Sequence, residues 1–273
     1  MFVDIPLPVW VVEGGGEEQV VAEAATVKGA TDMSFESDEE LKRLGDEFER
    51  WSAHELIRWA VETFGDDLAV SSSFGADSAV MLHLATRIKP DVKVITVDTG
   101  FLFPETIAFR DELARRLNLN LLVYRPVIDR ESFIREHGRM WRSSPDACCA
   151  FNKREPFDRA KRELGIRCWM TGIRREQSAT RRVAPVVQHD HLGLVKLCPI
   201  ARWSAQDVHD YLQEHDLPYH PLREQGYLSI GCQPEEDYCT RKVHPGEDPR
   251  SGRWAGLDKT ECGLHVHDQG SGI

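Results

Sequence analysis

The sequence predicts an α/β fold, a parallel sheet flanked by helices, and three observations lead to that fold class. Short apolar segments typical of buried strands alternate with helical patterns from residue 68 to residue 171. The chain has 273 residues, 41% of them hydrophobic, which is enough for a large buried core. No apolar run approaches the roughly 20 residues that a membrane-spanning helix requires.

Two helices are predicted ahead of the sheet. In the first, Leu41 and Leu44 belong to an apolar pattern of helical spacing, and Ser37 has the sequence context of an N-cap. The second helix spans 52–64 and is closed by Gly65, a residue type that commonly terminates helices.

Strands and helices then alternate, as in a parallel sheet covered on both faces. The predicted strands are 68–72, 92–97, 119–124 and 168–171. The predicted helices are 79–86, 104–117, 152–164 and 204–215.

Three segments are expected along the chain. Residues 1–36 lack sustained periodicity and are predicted to form a flexible N-terminal extension. Residues 37–217 are predicted to form the α/β domain. Residues 218–273 are rich in Pro, Gly, Cys and charge, and we expect a loop-rich, Cys-bearing C-terminal segment that carries functional groups.

The charge balance bears on partners and location. The net charge of -11 creates no general attraction for nucleic acid, so an anionic ligand needs a local basic site. The first lysine is Lys28, and the N-terminal residues do not resemble a secretory signal. We therefore expect a cytoplasmic protein with no membrane partner.

Because a reducing cytosol disfavours disulfides, thiol chemistry or metal ligation is the expected use of the seven cysteines.

Polar and glycine-containing segments follow three of the predicted strands. The loop after the first strand holds Ser72, Ser73, Gly75 and Asp77, and it is similar to the PP-loop of adenine-nucleotide enzymes, Ser-Gly-Gly-x-Asp-Ser, with Phe74 in place of the first glycine. In a parallel sheet, backbone N–H groups at such a strand end bind anions. A turn whose Ser and Asp only cap the next helix is the alternative.

Asp98 and Gly100 follow the second predicted strand, 92–97. Arg174 and Arg175 follow the fourth, 168–171. An Asp and a Gly can simply form a turn, whereas arginines beside a strand end in an acidic protein favour a sulfate or phosphate site. Arg181 and Arg182 add to that second group.

The cysteines fall into three groups. Cys168 and Cys198 lie in apolar runs and are interpreted as small buried hydrophobes. A set of four thiolates can hold an iron–sulfur cluster or zinc, and spacing does not choose between these metals. That set is Cys148, Cys149, Cys232 and Cys239. Cys262 lies in Glu-Cys-Gly-Leu-His near the C-terminus, where we expect an exposed, mobile thiol that meets both a substrate and a protein partner.

Seven motifs taken in order resemble one enzyme family over residues 51–265. They are Ser-Ser-Phe-Gly-Ala-Asp, Val-Asp-Thr-Gly, Cys-Cys-x-x-x-Lys, Thr-Gly-x-Arg-Arg, Tyr-x-Ser-Ile-Gly-Cys, Gly-Arg-Trp and Glu-Cys-Gly-Leu-His. The family is the assimilatory sulfonucleotide reductases, which are thioredoxin-dependent adenylylsulfate and phosphoadenylylsulfate reductases. The resemblance implies a PP-loop adenine-nucleotide-hydrolase-like α/β fold, in which residues 37–217 bind the nucleotide and residues 218–273 carry a catalytic tail.

The resemblance also implies roles for individual residues. Cys262 matches the nucleophile that attacks the sulfate sulfur and forms an S-sulfocysteine, which reduced thioredoxin or glutaredoxin then cleaves to release sulfite. His265 matches a residue that assists the same oxyanion. The residues expected to neutralise the anion are Lys153, Arg174, Arg175 and Arg241, and those expected to hold the nucleotide are Ser72, Ser73, Gly75, Asp77, Asp98 and Gly100.

The cysteines bear on the substrate. In members that use adenylylsulfate, residues matching Cys148, Cys149, Cys232 and Cys239 ligate a 4Fe-4S cluster, and members that use the 3'-phosphorylated substrate commonly lack them. Here residues 235–238 form an insertion between the last two cysteines. We expect an adenylylsulfate reductase of sulfate assimilation and cysteine biosynthesis with a 4Fe-4S cluster.

Three alternatives stay open from the sequence. The first is a 3'-phosphoadenylylsulfate reductase that releases adenosine 3',5'-bisphosphate. The others are a PP-loop adenylyltransferase or tRNA-thiolating enzyme, and a regulatory module in which the four cysteines hold zinc. Iron content and sulfite release separate these readings. The sequence leaves oligomeric state undecided, and a homo-oligomer is not excluded.

Overall fold

The computed structural model describes residue 35 and residues 37–264, apart from residues 237, 245 and 258. The predicted flexible extension, 1–36, therefore lies outside the described residues except for Phe35. The Phe35 ring packs on Trp59 and Phe64, with ring centroids 5.9 and 5.3 Å away.

A six-stranded sheet forms the centre of the fold, with strand order β3-β2-β1-β4-β6-β5. Its strands are β1 Leu68–Ser71, β2 Lys93–Val97, β3 Asn120–Tyr124, β4 Cys168–Thr171, β5 Val187–His189 and β6 Val195–Leu197. All neighbouring pairs are parallel except β5 with β6. This confirms the predicted α/β class, and the four predicted strands are present. The sequence missed β5 and β6 because three residues are too few to establish a period.

Nine α-helices lie in the described part of the chain. They are α1 Asp38–Phe48, α2 Ala53–Phe64, α3 Ser78–Ile88, α4 Pro104–Arg116, α5 Arg130–His137, α6 Met140–Ser143, α7 Pro145–Cys149, α8 Glu155–Glu163 and α9 Ala205–Glu214. A π-helical turn, Ala150–Arg154, joins α7 to α8, where the sequence predicted helix from residue 152. The sequence did not predict α5, α6 and α7. No helix in the described part of the chain is long and apolar enough to cross a membrane.

Local sequence explains where the first two helices begin. The Ser37 hydroxyl accepts a hydrogen bond from the Glu40 amide at 3.3 Å, as its N-cap context predicted. At α2, the Ser52 hydroxyl accepts from the Glu55 amide while the Glu55 carboxylate accepts from the Ser52 amide, which is a complete capping box.

The side chains of β1 alternate between two hydrophobic cores. Leu68 and Val70 pack into the larger core with helices α1, α2, α3 and α9. Ala69 points to the other face, where α8 contributes Phe157 and Ala160. Strand residues that are buried on both faces are the pattern of a parallel sheet covered by helices on either side.

The order of the strands reverses at β1. The chain runs from β1 to β2 and β3 on one side, and then returns to place β4 on the other side of β1. In open parallel sheets such a reversal leaves a crevice at the carboxyl ends of the two central strands. The fold therefore places the loops after β1 and β4 side by side.

A buried group of charges lies on the α8 face of the sheet. The Lys161 ammonium is fully buried and lies 2.5 Å from Asp190 and 3.1 Å from Asp158. Asp190 also accepts a 2.8 Å hydrogen bond from the Trp169 indole. Burial alone would raise the pKa of Asp190, but the hydrogen bond and charge of Lys161, together with backbone hydrogen bonds from Leu194 and Leu192, hold that pKa below its usual value. Asp190 therefore stabilises the fold at neutral pH, and this contribution is lost as the pH falls through its folded-state pKa.

Replacing Lys161 with Met should lower the free energy of unfolding by about 3–5 kcal/mol, because it leaves buried carboxylates without their counter-ion. Urea unfolding at neutral pH measures the change. Lys89→Met is the matched control, since Lys89 also pairs with two carboxylates, Asp66 and Asp91, whose side chains are 85% and 74% exposed. That variant should lose about 0–1 kcal/mol. Equal losses in the two variants would contradict the role given to burial.

Candidate active site

A cavity of about 170 Å³ opens at the carboxyl ends of β1, β2 and β4. We call it the nucleotide cavity, because the sequence predicts a nucleotide-binding loop after β1. Its lining includes Ser72, Ser73, Gly75 and Asp77, the residues that the sequence selected in the loop after β1. Three strand ends and the N-terminus of α3 therefore meet around one space, as the parallel sheet requires.

The loop after β1 is held by its own residues. The Ser72 hydroxyl accepts a 3.1 Å hydrogen bond from the Phe74 amide. Phe74 has a φ of +48°, a left-handed conformation that favours glycine, and its ring is buried with 1% exposure. The PP-loop pattern places glycine at this position. In this chain the buried ring occupies it instead, and its packing into the larger core offsets the strained backbone.

The loop after β2 contributes to the cavity through a residue that the sequence did not select. Thr99 lines the nucleotide cavity, whereas Asp98 and Gly100 do not. The Asp98 carboxylate accepts a 3.1 Å hydrogen bond from the Gly100 amide and lies 3.2 Å from Arg125. These two residues form the turn that the sequence analysis gave as the alternative.

The arginines selected after β4 are engaged elsewhere. Arg174 is buried and donates to the Asp77 carboxylate at 2.7 Å. Arg175 pairs with Glu49, which follows α1, and donates to the Ala184 carbonyl at 2.8 Å. Neither lines the nucleotide cavity. Arg174 therefore holds the loop after β1 in place through Asp77. Arg175 instead contacts the residue that follows α1.

Four other cations line the nucleotide cavity: Lys153, Arg181, Arg250 and Arg253. The sequence assigned Lys153 to the anion and placed Arg181 in the arginine group after β4, whereas it gave no role to Arg250 and Arg253. Arg241, which was selected, instead donates to the Lys242 carbonyl at 2.8 Å and lies outside the lining.

Two glycines, Gly231 and Gly252, lie in close surroundings next to Arg253. A Cβ added at Gly231 would lie 2.2 Å from the Arg253 guanidinium, and one at Gly252 would lie 2.4 Å from the Arg241 carbonyl oxygen. Glycine at 231 therefore leaves space for the Arg253 guanidinium in its present position, and glycine at 252 lets the backbone beside Arg253 lie against the Arg241 carbonyl. The Gly-Arg-Trp motif that contains Gly252 was the available signal for this arrangement.

Cys262 lies at the wall of the nucleotide cavity and is buried, with 5% exposure. The prediction of an exposed thiol is wrong, because ion pairs of two residues just before Cys262 hold its segment against the protein. Glu261 pairs with Arg181 at 2.7 Å and with Arg250 at 3.1 Å, and Lys259 pairs with Asp146. His265 lies outside the described residues.

The surroundings of Cys262 favour its thiolate. Burial raises the pKa of the thiol, but the Lys153 ammonium and a hydrogen bond from the Leu264 amide outweigh burial. Arg253 acts in the same direction, and the resulting pKa lies below the ordinary value. A cysteine with a lowered pKa is a competent nucleophile at neutral pH.

Four other cysteines lie near Cys262, and burial raises the pKa of three of them. Cys148, Cys149, Cys232 and Cys239 line a second, smaller cavity of about 20 Å³ together with Trp141 and Trp254. We call it the cysteine cavity. Burial raises the pKa of Cys148 to about 11 and those of Cys149 and Cys239 to about 12. These three side chains are therefore protonated thiols at neutral pH. Cys168 and Cys198 are buried in the larger core, as predicted.

The fold is an α/β fold of the PP-loop type, and it places a cysteine of lowered pKa beside a cavity lined by cations. The phosphoadenosine phosphosulfate reductase domain matches residues 67–238, which is more than half of the chain. The chain belongs to this sulfonucleotide reductase family, and it is an oxidoreductase of sulfate assimilation.

Individual relatives support the assignment. The phosphoadenosine 5'-phosphosulfate reductase of Photobacterium profundum is 45% identical over 240 residues, covering 86% of this chain and 92% of the relative. The reductase of the same name from Xanthomonas campestris pv. campestris is 45% identical over 243 residues, covering 88% of this chain and 98% of the relative.

Solved structures agree with these relatives on the fold. The phosphoadenylyl-sulfate reductase of Candida auris, crystallised with phosphate, has a TM-score of 0.65 and 32% identity, covering 73% of this chain and 97% of that one. An FMN adenylyltransferase of Candida glabrata has a TM-score of 0.51 and 15% identity, covering 77% and 78%. This second likeness shows the fold alone.

The predicted 4Fe-4S cluster on Cys148, Cys149, Cys232 and Cys239 is contradicted. The relatives and the Candida auris structure carry the name of the reductase class that was expected to lack a cluster. Within the described ranges, no group of three or more Cys, His, Asp or Glu residues is arranged to hold a metal ion. The cysteine cavity also has a volume of about 20 Å³, which is room for about one water molecule.

Lys153→Gln should move the alkylation of Cys262 by iodoacetamide to higher pH, because the ammonium is the largest influence that lowers the thiol's pKa. Peptide mass spectrometry across a pH series measures the modification of Cys262 by itself. Lys242→Gln is the control, since Lys242 belongs to the same C-terminal segment but lies outside the nucleotide cavity. An unchanged pH profile in Lys153→Gln would contradict this origin of the reactivity.

Proposed function

We propose that this chain reduces 3'-phosphoadenylylsulfate to sulfite and adenosine 3',5'-bisphosphate, with thioredoxin as the electron donor and Cys262 as the nucleophile. The observation that carries the chemistry is the position of Cys262, a buried thiol with a lowered pKa, at the wall of a cavity lined by four cations. The substrate is taken from the names of relatives that are 45% identical over most of the chain.

The proposed reaction has two steps. The Cys262 thiolate attacks the sulfate sulfur, an S–S bond forms, and the sulfur–oxygen bond to the nucleotide phosphate breaks with its electron pair leaving on the nucleotide. A thiolate of reduced thioredoxin then attacks the Cys262 sulfur and sulfite departs with the electron pair of the S–S bond. The second thiol of thioredoxin closes its disulfide and restores the Cys262 thiolate, so the dithiol supplies two electrons.

In the first step, the cations that line the nucleotide cavity offset the repulsion between the sulfate group and the thiolate. The sulfate group is anionic and repels a thiolate, so positive charge must surround both before they meet. Lys153 and Arg253 lower the pKa of Cys262, and Arg181 and Arg250 line the same cavity. Guanidinium groups suit sulfate and phosphate oxygens because they donate in pairs.

The charge of the cavity also fits a 3'-phosphorylated substrate. A phosphate monoester adds about -1.5 to -2 charges near pH 7, so this substrate is considerably more anionic than adenylylsulfate. Among the described residues, Asp77 is the carboxylate in the cavity lining, and it is paired with Arg174. Glu261 pairs with Arg181 and Arg250, so the positive charge offered to the substrate comes mainly from Lys153 and Arg253.

Adenylylsulfate is the second candidate substrate, and one observation favours it. The chain retains Cys148, Cys149, Cys232 and Cys239, the positions that the family resemblance associates with members using adenylylsulfate. The two candidates share the nucleophile and the reductant, so kinetics with both nucleotides separates them.

The substrate test is a comparison of kcat/KM for sulfite release with each sulfonucleotide, using anaerobically purified protein and reduced thioredoxin. We expect 3'-phosphoadenylylsulfate to be preferred by a preparation that contains no iron. A brown, iron-containing preparation that prefers adenylylsulfate would contradict the proposed substrate.

Cys262→Ser should reduce sulfite formation to the level measured without enzyme, because a hydroxyl does not replace the thiolate as the nucleophile. Nucleotide binding should stay close to wild type, since the loops after β1, β2 and β4 are unchanged. A coupled sulfite assay and equilibrium binding of adenosine 3',5'-bisphosphate measure the two properties.

Cys148→Ser is the matched control. Cys148 lines the cysteine cavity but not the nucleotide cavity, so this variant should keep its activity. Turnover by Cys262→Ser, or loss of all activity in Cys148→Ser, would count against the proposed function.

A further inference from the structure

Glu261 is the neighbour of Cys262 and is held by two arginines. Its carboxylate accepts hydrogen bonds from both nitrogens on one edge of Arg181, at 2.7 and 2.8 Å. Arg250 donates to the same carboxylate at 3.1 Å. The side chains of Glu261, Arg181 and Arg250 are only 8%, 12% and 11% exposed, so water screens this contact little.

The two arginines come from separate parts of the fold. Arg181 ends the short helical turn Ala179–Arg181 that follows β4, and Arg250 lies in the C-terminal loops. The Arg250 guanidinium also donates to the carbonyl of Thr260, the residue before Glu261. The side chain of Glu261 and the backbone beside it are therefore tied to the wall of the nucleotide cavity, which both arginines line.

We propose that Glu261 is a positioning residue whose ion pairs with Arg181 and Arg250 hold Cys262 at the wall of the nucleotide cavity. This inference rests on the proposed function for its catalytic consequence, but the anchoring itself does not depend on any substrate. Fixing a nucleophile next to its target raises the rate because its orientation is established before the reaction.

The negative charge of Glu261 is unfavourable for ionisation of the neighbouring Cys262 thiol. The Glu261 charge raises the pKa of Cys262, in opposition to Lys153 and Arg253. A neutral residue beside the thiol would leave the thiolate better stabilised. The carboxylate therefore lowers the intrinsic reactivity of the thiol while fixing its position, and removing it should separate the two properties.

The second anchor of the segment is weaker. Lys259 pairs with Asp146, but the Asp146 side chain is 83% exposed. Solvent-exposed ion pairs contribute little to stability, whereas breaking a buried pair leaves an uncompensated charge and costs several times more. Loss of the Glu261 carboxylate should therefore release the segment even with Lys259 in place.

The test is Glu261→Gln, with two measurements on the full chain. The first is the rate at which iodoacetamide alkylates individual cysteines in the native protein, resolved by peptide mass spectrometry. It is read at the high-pH plateau, where Cys262 is fully ionised and a change in its pKa no longer alters the rate. We expect Cys262 to react about tenfold faster or more, which corresponds to roughly 1.4 kcal/mol. Cys168 and Cys198, buried in the larger core, serve as internal controls and should react at their wild-type rates.

The second measurement is the single-turnover rate of Cys262 sulfonation by 3'-phosphoadenylylsulfate and by adenylylsulfate. It should fall about tenfold or more in Glu261→Gln, with Glu261→Asp between the variant and wild type, because a shorter carboxylate reaches the arginines less well. Glu247→Gln is the matched control. Glu247 lies in the same C-terminal segment and pairs with Arg241 at 3.4 Å, and this variant should match wild type in both measurements.

Alkylation of Cys262 in Glu261→Gln at the wild-type rate would overturn the inference. Equal acceleration at Cys168 and Cys198 would also overturn it, because general loosening of the fold would then explain the result. If neither nucleotide sulfonates the wild-type protein, the proposed function fails, while the alkylation rates still decide whether Glu261 anchors Cys262.

Discussion

A thiolate that is kept away from water needs compensating positive charge, and this requirement organises the site. Cys262 is buried, and burial opposes ionisation of its thiol. Lys153, Arg253 and the Leu264 amide supply the opposing stabilisation. Cys149, which also lies deep in the protein, lacks enough compensation, and its pKa rises to about 12. The difference between a nucleophile and an inert thiol here is the arrangement of nearby charge.

The sheet determines where those charges can meet. Because strand order reverses at β1, the loops after β1 and β4 face the same crevice, and Arg181 arrives from the β4 side. The C-terminal loops cross this edge and bring Arg250, Arg253 and Cys262 to it. An acidic chain thus concentrates cations at one edge of its sheet, where an anionic nucleotide would bind.

Much of the fold and part of the site could be predicted from the sequence. Helical spacing and caps placed α1 and α2 because those signals are local and involve residues three or four apart. The loop after β1 was found for the same reason, since its residues reach the nucleotide cavity without help from distant segments. The short strands β5 and β6 were missed because their register depends on pairing with β4.

The site predictions that differ from the structure involve ion pairs between residues that are far apart in sequence and meet only in the folded chain. Nothing local to Arg175 indicates that Glu49 will neutralise it, and nothing near Cys262 indicates that Arg181 will hold its neighbour Glu261. The cysteines of the cysteine cavity did converge, although two lie more than 80 residues before the others. Convergence alone did not establish a cluster, because thiols also pack together as small apolar groups, and the relatives carry the name of the class expected to lack a cluster.

The central claim is that Cys262 carries the sulfonate between nucleotide and reductant. The most direct measurement mixes the protein with 3'-phosphoadenylylsulfate labelled with radioactive sulfur, in the absence of thioredoxin, and maps the label by peptide digestion. The account predicts close to one label per chain, located on Cys262 and released as sulfite when reduced thioredoxin is added. Label on another cysteine, or label that thioredoxin does not release, would contradict it.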